Sequence, residues 1–78
     1  MESAQRAYED FDEFERKEFA EACMVHGYRE IDFLVFDYND GANRRVKLQR
    51  GLVMRLYDGD NWMIPFVADL AGGAFDRD

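Results

Sequence analysis

Cys23 and His26 stand three apart, a spacing that puts a nucleophile and a base on one side of a helix. A Cys–His nucleophile also needs a group to orient the imidazole and donors for an oxyanion. A structural zinc site needs about four ligands, and the sequence contains no other Cys or His. The pair therefore reads as a buried thiol and a histidine at a helix C-terminus, where the dipole favours a cation. Carboxylates are more plentiful, with Glu15 near Glu18 and Asp58 near Asp60. General acid–base work requires a pocket that drives two such pKa values apart, and 78 residues leave little room for one. Glu18 is the one candidate for a perturbed carboxylate, reaching solvent or a strand arginine in the plainer reading. Asp37-x-Asn39-Asp40-Gly41 superficially follows a calcium loop, but its glycine comes one position early and the terminal Glu is missing. There is no phosphate-binding glycine loop and no basic amphipathic helix for a membrane. The reading is of a chain without cofactor, metal or catalytic group, which acts by binding another macromolecule.

The elements that must position any surface follow from the hydrophobic pattern, punctuated by glycines. The composition is 47% hydrophobic and 15% aromatic, enough for a few large rings to close a thin core in a single domain spanning 1–78. Residues 3–26 read as a helix with Ser3 as N-cap and Gly27 beyond its end. Its apolar stripe holds Ala4, Ala7, Tyr8, Phe11, Phe14, Ala22 and Val25, with Phe19 at the edge. Glu18 falls inside that stripe, and Asp12 with Glu15 forms a capping-box pattern, so a kink or break near Asp12 is the alternative to one straight helix. Residues 31–38 and 44–50 read as strands around a turn at 39–43. Placing Tyr38 opposite Arg44 puts Leu34, Phe36, Val46 and Leu48 on one face and Asp37 beside Arg45. Residues 52–57 continue the sheet, with Gly51 a turn or a bulge. Residues 62–64 read as a last strand, and Pro65 opens a helical turn to residue 70. The expected fold is two-layer α+β: an N-terminal helix on a three- or four-stranded antiparallel meander, with a short C-terminal helical turn. In this register Ile31, Phe33 and Val35 form a second apolar face. Either the C-terminal segment with Val67, Leu70 and Phe75 covers it, or it is a dimer or partner interface.

Charge is segregated along the chain, whose net charge is −7. Residues 1–26 carry eight acids and three bases, and residues 27–43 four acids and one base. Residues 44–57 carry five bases and no acid, and residues 58–78 five acids and one base. On the expected helix Glu2, Glu9, Asp12 and Glu13 share the face opposite the apolar stripe, with Asp10 nearby. That face is either solvated for solubility or a negative surface for a positively charged site. Proteins that bind nucleic acid line such sites with Lys and Arg, and a carboxylate array would occupy one and exclude the nucleic acid, with electrostatic steering of the encounter. The opposite reading makes Arg44, Arg45 and Lys47 a direct RNA or DNA patch. Strand alternation divides those cations between two faces, and the whole-chain charge repels a polyanion; the plainer reading pairs them with the acidic helix and with Asp37.

One cysteine allows no intrachain disulfide, which points to a reducing cytoplasm. No signal-peptide pattern opens the chain, and no apolar run is long enough to span a bilayer. In size and charge, though in no motif, the chain is similar to the small anti-defence inhibitors of phages and mobile elements, such as anti-CRISPR and anti-restriction proteins. The leading expectation is an acidic protein-binding module that blocks a nucleic-acid site. Its contacts would be Glu9, Asp10, Asp12 and Glu13, with Asp58 and Asp60 as a second cluster and a basic protein as partner. The alternatives are a homodimeric assembly subunit using Ile31, Phe33 and Val35, and a nucleic-acid binder using the basic strand pair.

Overall fold

Asp12 divides what the periodicity reads as one helix. In the computed structural model, which describes residues 5–76, Arg6–Ala7 is a two-residue strand, β1, and Tyr8–Asp10 a 3₁₀ turn. The helix proper, α1, is Glu13–Val25. The Asp12 carboxylate accepts the Phe14 amide at 3.1 Å and so caps α1. The capping box stays open, because the Glu15 side chain is drawn to Arg44 and Trp62 instead. Glu2, Ser3 and Ala4 lie outside the described residues. At the far end Gly27, with φ of 85°, sits in a Schellman closure: its amide bonds to Met24 O at 3.1 Å and that of Tyr28 to Cys23 O at 2.8 Å.

The break at Asp12 frees α1 from the phase of the preceding segment, and a different stripe turns inward. Phe19 and Cys23, four residues apart, are fully buried, whereas Phe14 is 65% and Val25 77% exposed. Glu18 faces solvent. Tyr8 and Phe11 reach the core from the 3₁₀ turn, with the Tyr8 ring 5.2 Å from Phe19 and 5.8 Å from Phe11.

Three longer strands follow: β2, Leu34–Asp40; β3, Asn43–Arg50; and β4, Val53–Asp58. The sheet is antiparallel throughout, in the order β1-β2-β3-β4. The β2–β3 loop is tighter than the sequence suggests. Asp40 pairs with Asn43, leaving Gly41 and Ala42 as a two-residue turn in which only Gly41 has positive φ, 69°, as in a type II′ hairpin. Tyr38 therefore faces Arg45, one residue beyond the expected partner. Because side chains alternate, that single slip moves every residue of β2 to the other face. Val35 and Asp37 now lie opposite Leu48 and Val46 on the buried side, and the expected Asp37–Arg45 pair does not form. Gly51 makes a turn, not a bulge, with Arg50 opposite Val53.

The C-terminal segment also departs from expectation. Residues 62–64 are not a strand; a second helix, α2, runs Met63–Ala71 with Trp62 at its entry, and Pro65 is tolerated in its first turn. The fourth strand is supplied by β1. Both helices and Phe75 pack on the same sheet face around one core of Phe11, Phe19, Phe33, Trp62, Phe66 and Phe75. Phe75 does cover the Phe33 side of the sheet, the rings lying 5.3 Å apart edge to face. That is the side α1 covers too, so the opposite face stays open.

The register gives a direct expectation. Val35→Lys forces a charge into the core and abolishes the cooperative thermal transition followed by circular dichroism. Leu34→Lys, at a position 60% exposed, keeps it. The reverse pattern would restore the register expected from the sequence.

Candidate functional site

Alternation along β2 forces one acid into the core face, and the surrounding elements converge on it. Asp37 is 2% exposed. Arg6 on β1 donates from Nε at 3.0 Å and from Nη2 at 2.6 Å to its two oxygens, and Arg44 on β3 donates from Nε at 2.7 Å. The remaining nitrogens of Arg44 hold the Glu15 carboxylate of α1 at 2.6 and 3.1 Å, and Nη1 also reaches Asp60 at 3.2 Å. Trp62 completes the group by donating its indole N–H to Glu15 Oε2 at 3.0 Å. Beneath it the Phe11 ring faces both guanidinium groups, with centroid distances of 5.7 Å to Arg6 and 5.1 Å to Arg44, a favourable cation–π arrangement.

The electrostatics follow from these contacts. Burial by itself raises the pKa of Asp37 and Glu15 by disfavouring the carboxylate. The hydrogen bonds from Arg6 and Arg44 to Asp37, and from Arg44 and Trp62 to Glu15, outweigh it and hold both acids below their ordinary range. Burial likewise opposes the Arg44 cation, and its carboxylate partners reverse that, so its pKa rises.

Each expected site residue has a place around this network. Glu9 and Asp10 sit in the 3₁₀ turn, Asp12 caps α1, and Glu13 lies in its first turn; all four are exposed. They cluster at a helix entry, where the dipole also favours negative charge, and not along a helix face. Asp60 joins them: Arg44 ties it to Glu15, and Trp62 meets Phe11 edge on at 6.3 Å. Asp58 points to the other side of the sheet and pairs with Arg45 at 3.1 Å. The basic residues are divided. Arg44 is turned inward, its side chain 14% exposed, while Arg45 is turned outward between Asp40 and Asp58. Lys47 also faces outward, lying 5.6 Å from the centre of the Phe36 ring.

The proposed apolar interface needs correction. Phe33 and Val35 belong to the core, and of that trio only Ile31, 77% exposed, is free to meet a partner. The register shift transfers the uncovered apolar surface to Leu34, Phe36, Met54 and Leu56. Cys23 is fully buried, and burial, with the Glu30 and Asp32 carboxylates nearby, pushes its thiol up to about 12; a protonated thiol so placed is a poor nucleophile. Among the described residues no group of three or more His, Cys, Asp or Glu is arranged to hold a metal ion, and no helix is long and apolar enough to cross a membrane.

Sequence reasoning missed Arg6 and Glu15 as organising residues. The available signal was Asp37 itself, an acid at a core-facing step of a strand otherwise flanked by apolar residues. Comparison of the chain with protein-family models, with curated proteins and with solved structures finds no match, so the functional reading rests on the geometry.

Because Asp37 has a lowered pKa in the fold, its stabilisation is complete above the unfolded value of about 3.9 and is lost as pH falls through the folded value. Asp37→Asn should cost roughly 3 kcal/mol at neutral pH, the lower end for breaking a buried pair because Arg6 stays half exposed. Urea unfolding at several pH values checks this. The variant and wild type should converge in acid, and an equal gap at every pH contradicts the assignment.

Proposed function

We propose that this chain is a small acidic protein-binding module, and that it acts as an inhibitor by placing its acidic edge in the basic nucleic-acid site of a target protein. The observation that carries this reading is the sorting of charge. Arg6, Arg44 and Arg45 are committed inward or to their own acids, while Glu9, Asp10, Asp12 and Glu13 stand exposed at the entry to α1 and Asp60 is tied through Arg44 to Glu15 of its first turn. Glu9, Asp10 and Glu13 are the principal contacts, since Asp12 is engaged in capping and Asp60 in an ion pair. In such a site carboxylates take the place of phosphates, and the whole-chain charge of −7 speeds the encounter. An anti-defence role, against a restriction or CRISPR nuclease, is the biological setting this chemistry suits.

A second reading rests on the open sheet face, where Leu34, Phe36, Met54 and Leu56 surround Lys47. A homodimeric assembly subunit would bury that face. Direct nucleic-acid binding has less support, because Arg44 is enclosed and Arg45 is paired with two acids.

A tagged pull-down from nuclease-treated host lysate, read by mass spectrometry, tests the leading reading. The expected catch is one nucleic-acid-binding protein, with affinity reduced at least about tenfold by Glu9→Lys with Glu13→Lys and falling as salt is added. Affinity indifferent to both charge reversal and salt refutes the mimic. Recovery of the chain alone, with a dimer mass by light scattering that Leu56→Lys abolishes, favours assembly.

A further inference from the structure

β1 pairs with β2 only at Phe36 and Asp37, after which the chain turns away into Tyr8–Asp10. β2 begins two residues before that pairing, at Leu34. Among the described residues, Leu34 and Val35 therefore have a ladder partner on the β3 side alone. Over this unpaired stretch lies an open cleft of about 670 Å³, bounded by β1 and the 3₁₀ turn on one side and by Glu30, Ile31 and the start of β2 on the other. Its apolar wall is already in place, since Ile31 and Leu34 are exposed and Phe36 half-buried. The Tyr8 hydroxyl, which donates to Glu30 Oε2 at 2.6 Å and lies 2.9 Å from Arg16 O, ties the two walls of the cleft together at one point.

Charge narrows the occupant. Three charged residues line the cleft: Arg6, Glu9 and Glu30. Arg6 is bound to Asp37, whereas neither Glu9 nor Glu30 has an ion-pair partner among the described residues. An unpaired strand edge selects an extended peptide, whose main chain supplies the hydrogen bonds and whose alternate side chains enter pockets. The two carboxylates select a cation. A second copy of the chain would bring its own net charge of −7 to this acidic rim and be repelled.

We propose that the cleft receives an extended segment of a partner protein as an added strand beside Leu34 and Val35. Its apolar side chains pack on Ile31 and Leu34, and a lysine or arginine faces Glu9 and Glu30. This goes beyond the acidic-edge reading, shares only Glu9 with it, and fails separately from it.

The test is an NMR titration of the ¹⁵N-labelled full chain with a capped hexapeptide alternating valine and lysine, and in parallel with one alternating valine and glutamate. The lysine peptide should give saturable amide shifts centred on Ile31, Leu34 and Val35, with affinity at least about tenfold above that of the glutamate peptide. Ile31→Lys, outside the strand, and Leu34→Lys should each weaken it about tenfold while preserving the dispersed spectrum of the folded chain. Glu13→Lys, away from the cleft lining, should leave the affinity within about twofold, although it reverses one of the acidic-edge contacts. Absence of saturable shifts overturns the proposal. So do shifts confined to Met54 and Leu56 or to Asp12 and Glu13, and equal affinity for the two peptides.

Discussion

Arg44 carries a positive charge into the angle between α1 and the sheet, where its side chain is 14% exposed and touches acids from three separate segments: Asp37 on β2, Glu15 on α1 and Asp60 before α2. A cation so enclosed is costly unless its donors are matched, and the cost of leaving one partner unmatched is larger than the gain from a complete set. This asymmetry makes the network a constraint on the whole fold. α1 must present Glu15 inward, which sets its rotation and turns Phe14 and Val25 out to solvent. β2 must present Asp37 inward, which excludes the register with Leu34 and Phe36 in the core. The segment after β4 must bring Trp62 down to Glu15, so it continues as a helix entry and not as a fifth strand.

The same network sorts the molecule's charge. Arg6 and Arg44 are spent on buried or half-buried acids, Arg45 on Asp40 and Asp58, and Arg50 on the Phe75 carbonyl at 2.5 Å, its guanidinium stacked 4.9 Å from the Tyr28 ring centre. Among the described residues Glu9, Asp10, Asp12 and Glu13, at the entry to α1, have no such ion pair. A segregated sequence thus becomes a surface with an acidic edge, and the five cations of residues 44–57 do not assemble into a basic track. β1 contributes twice: it delivers Arg6 to Asp37, and by ending after two residues it leaves the start of β2 open at the cleft.

β2, β3 and β4, the two hairpins between them and the two-layer α+β arrangement were legible because β-branched and aromatic runs are bounded by glycines with positive φ; β1, read as helix, and the helical course of residues 62–64, read as strand, were not. The break at Asp12 was legible as well, from a capping residue and a glutamate intruding on an apolar stripe. Register was not. The tract Asn39-Asp40-Gly41-Ala42-Asn43 accommodates either a two-residue or a five-residue loop, and both β2 faces are apolar enough to be core. The deciding factor was the pairing of Asp37 both with Arg44 across the hairpin and with Arg6, far away in sequence; the first was open to a sequence reading, the second is encoded in no local pattern. The acidic residues of the candidate site were identifiable from composition, but their grouping at a helix entry follows from the break.

A double-mutant cycle between Glu15 and Asp37 tests most directly whether one arginine-centred network organises this fold. Stabilities of the wild type, Glu15→Gln, Asp37→Asn and the double variant would be measured by urea unfolding at neutral pH. Since the two acids bond different nitrogens of the same Arg44, the two losses should be non-additive, with a coupling of about 1 kcal/mol or more in either direction. Losses that add to within about 0.3 kcal/mol would mean that α1 and β2 are held independently, and would contradict the account.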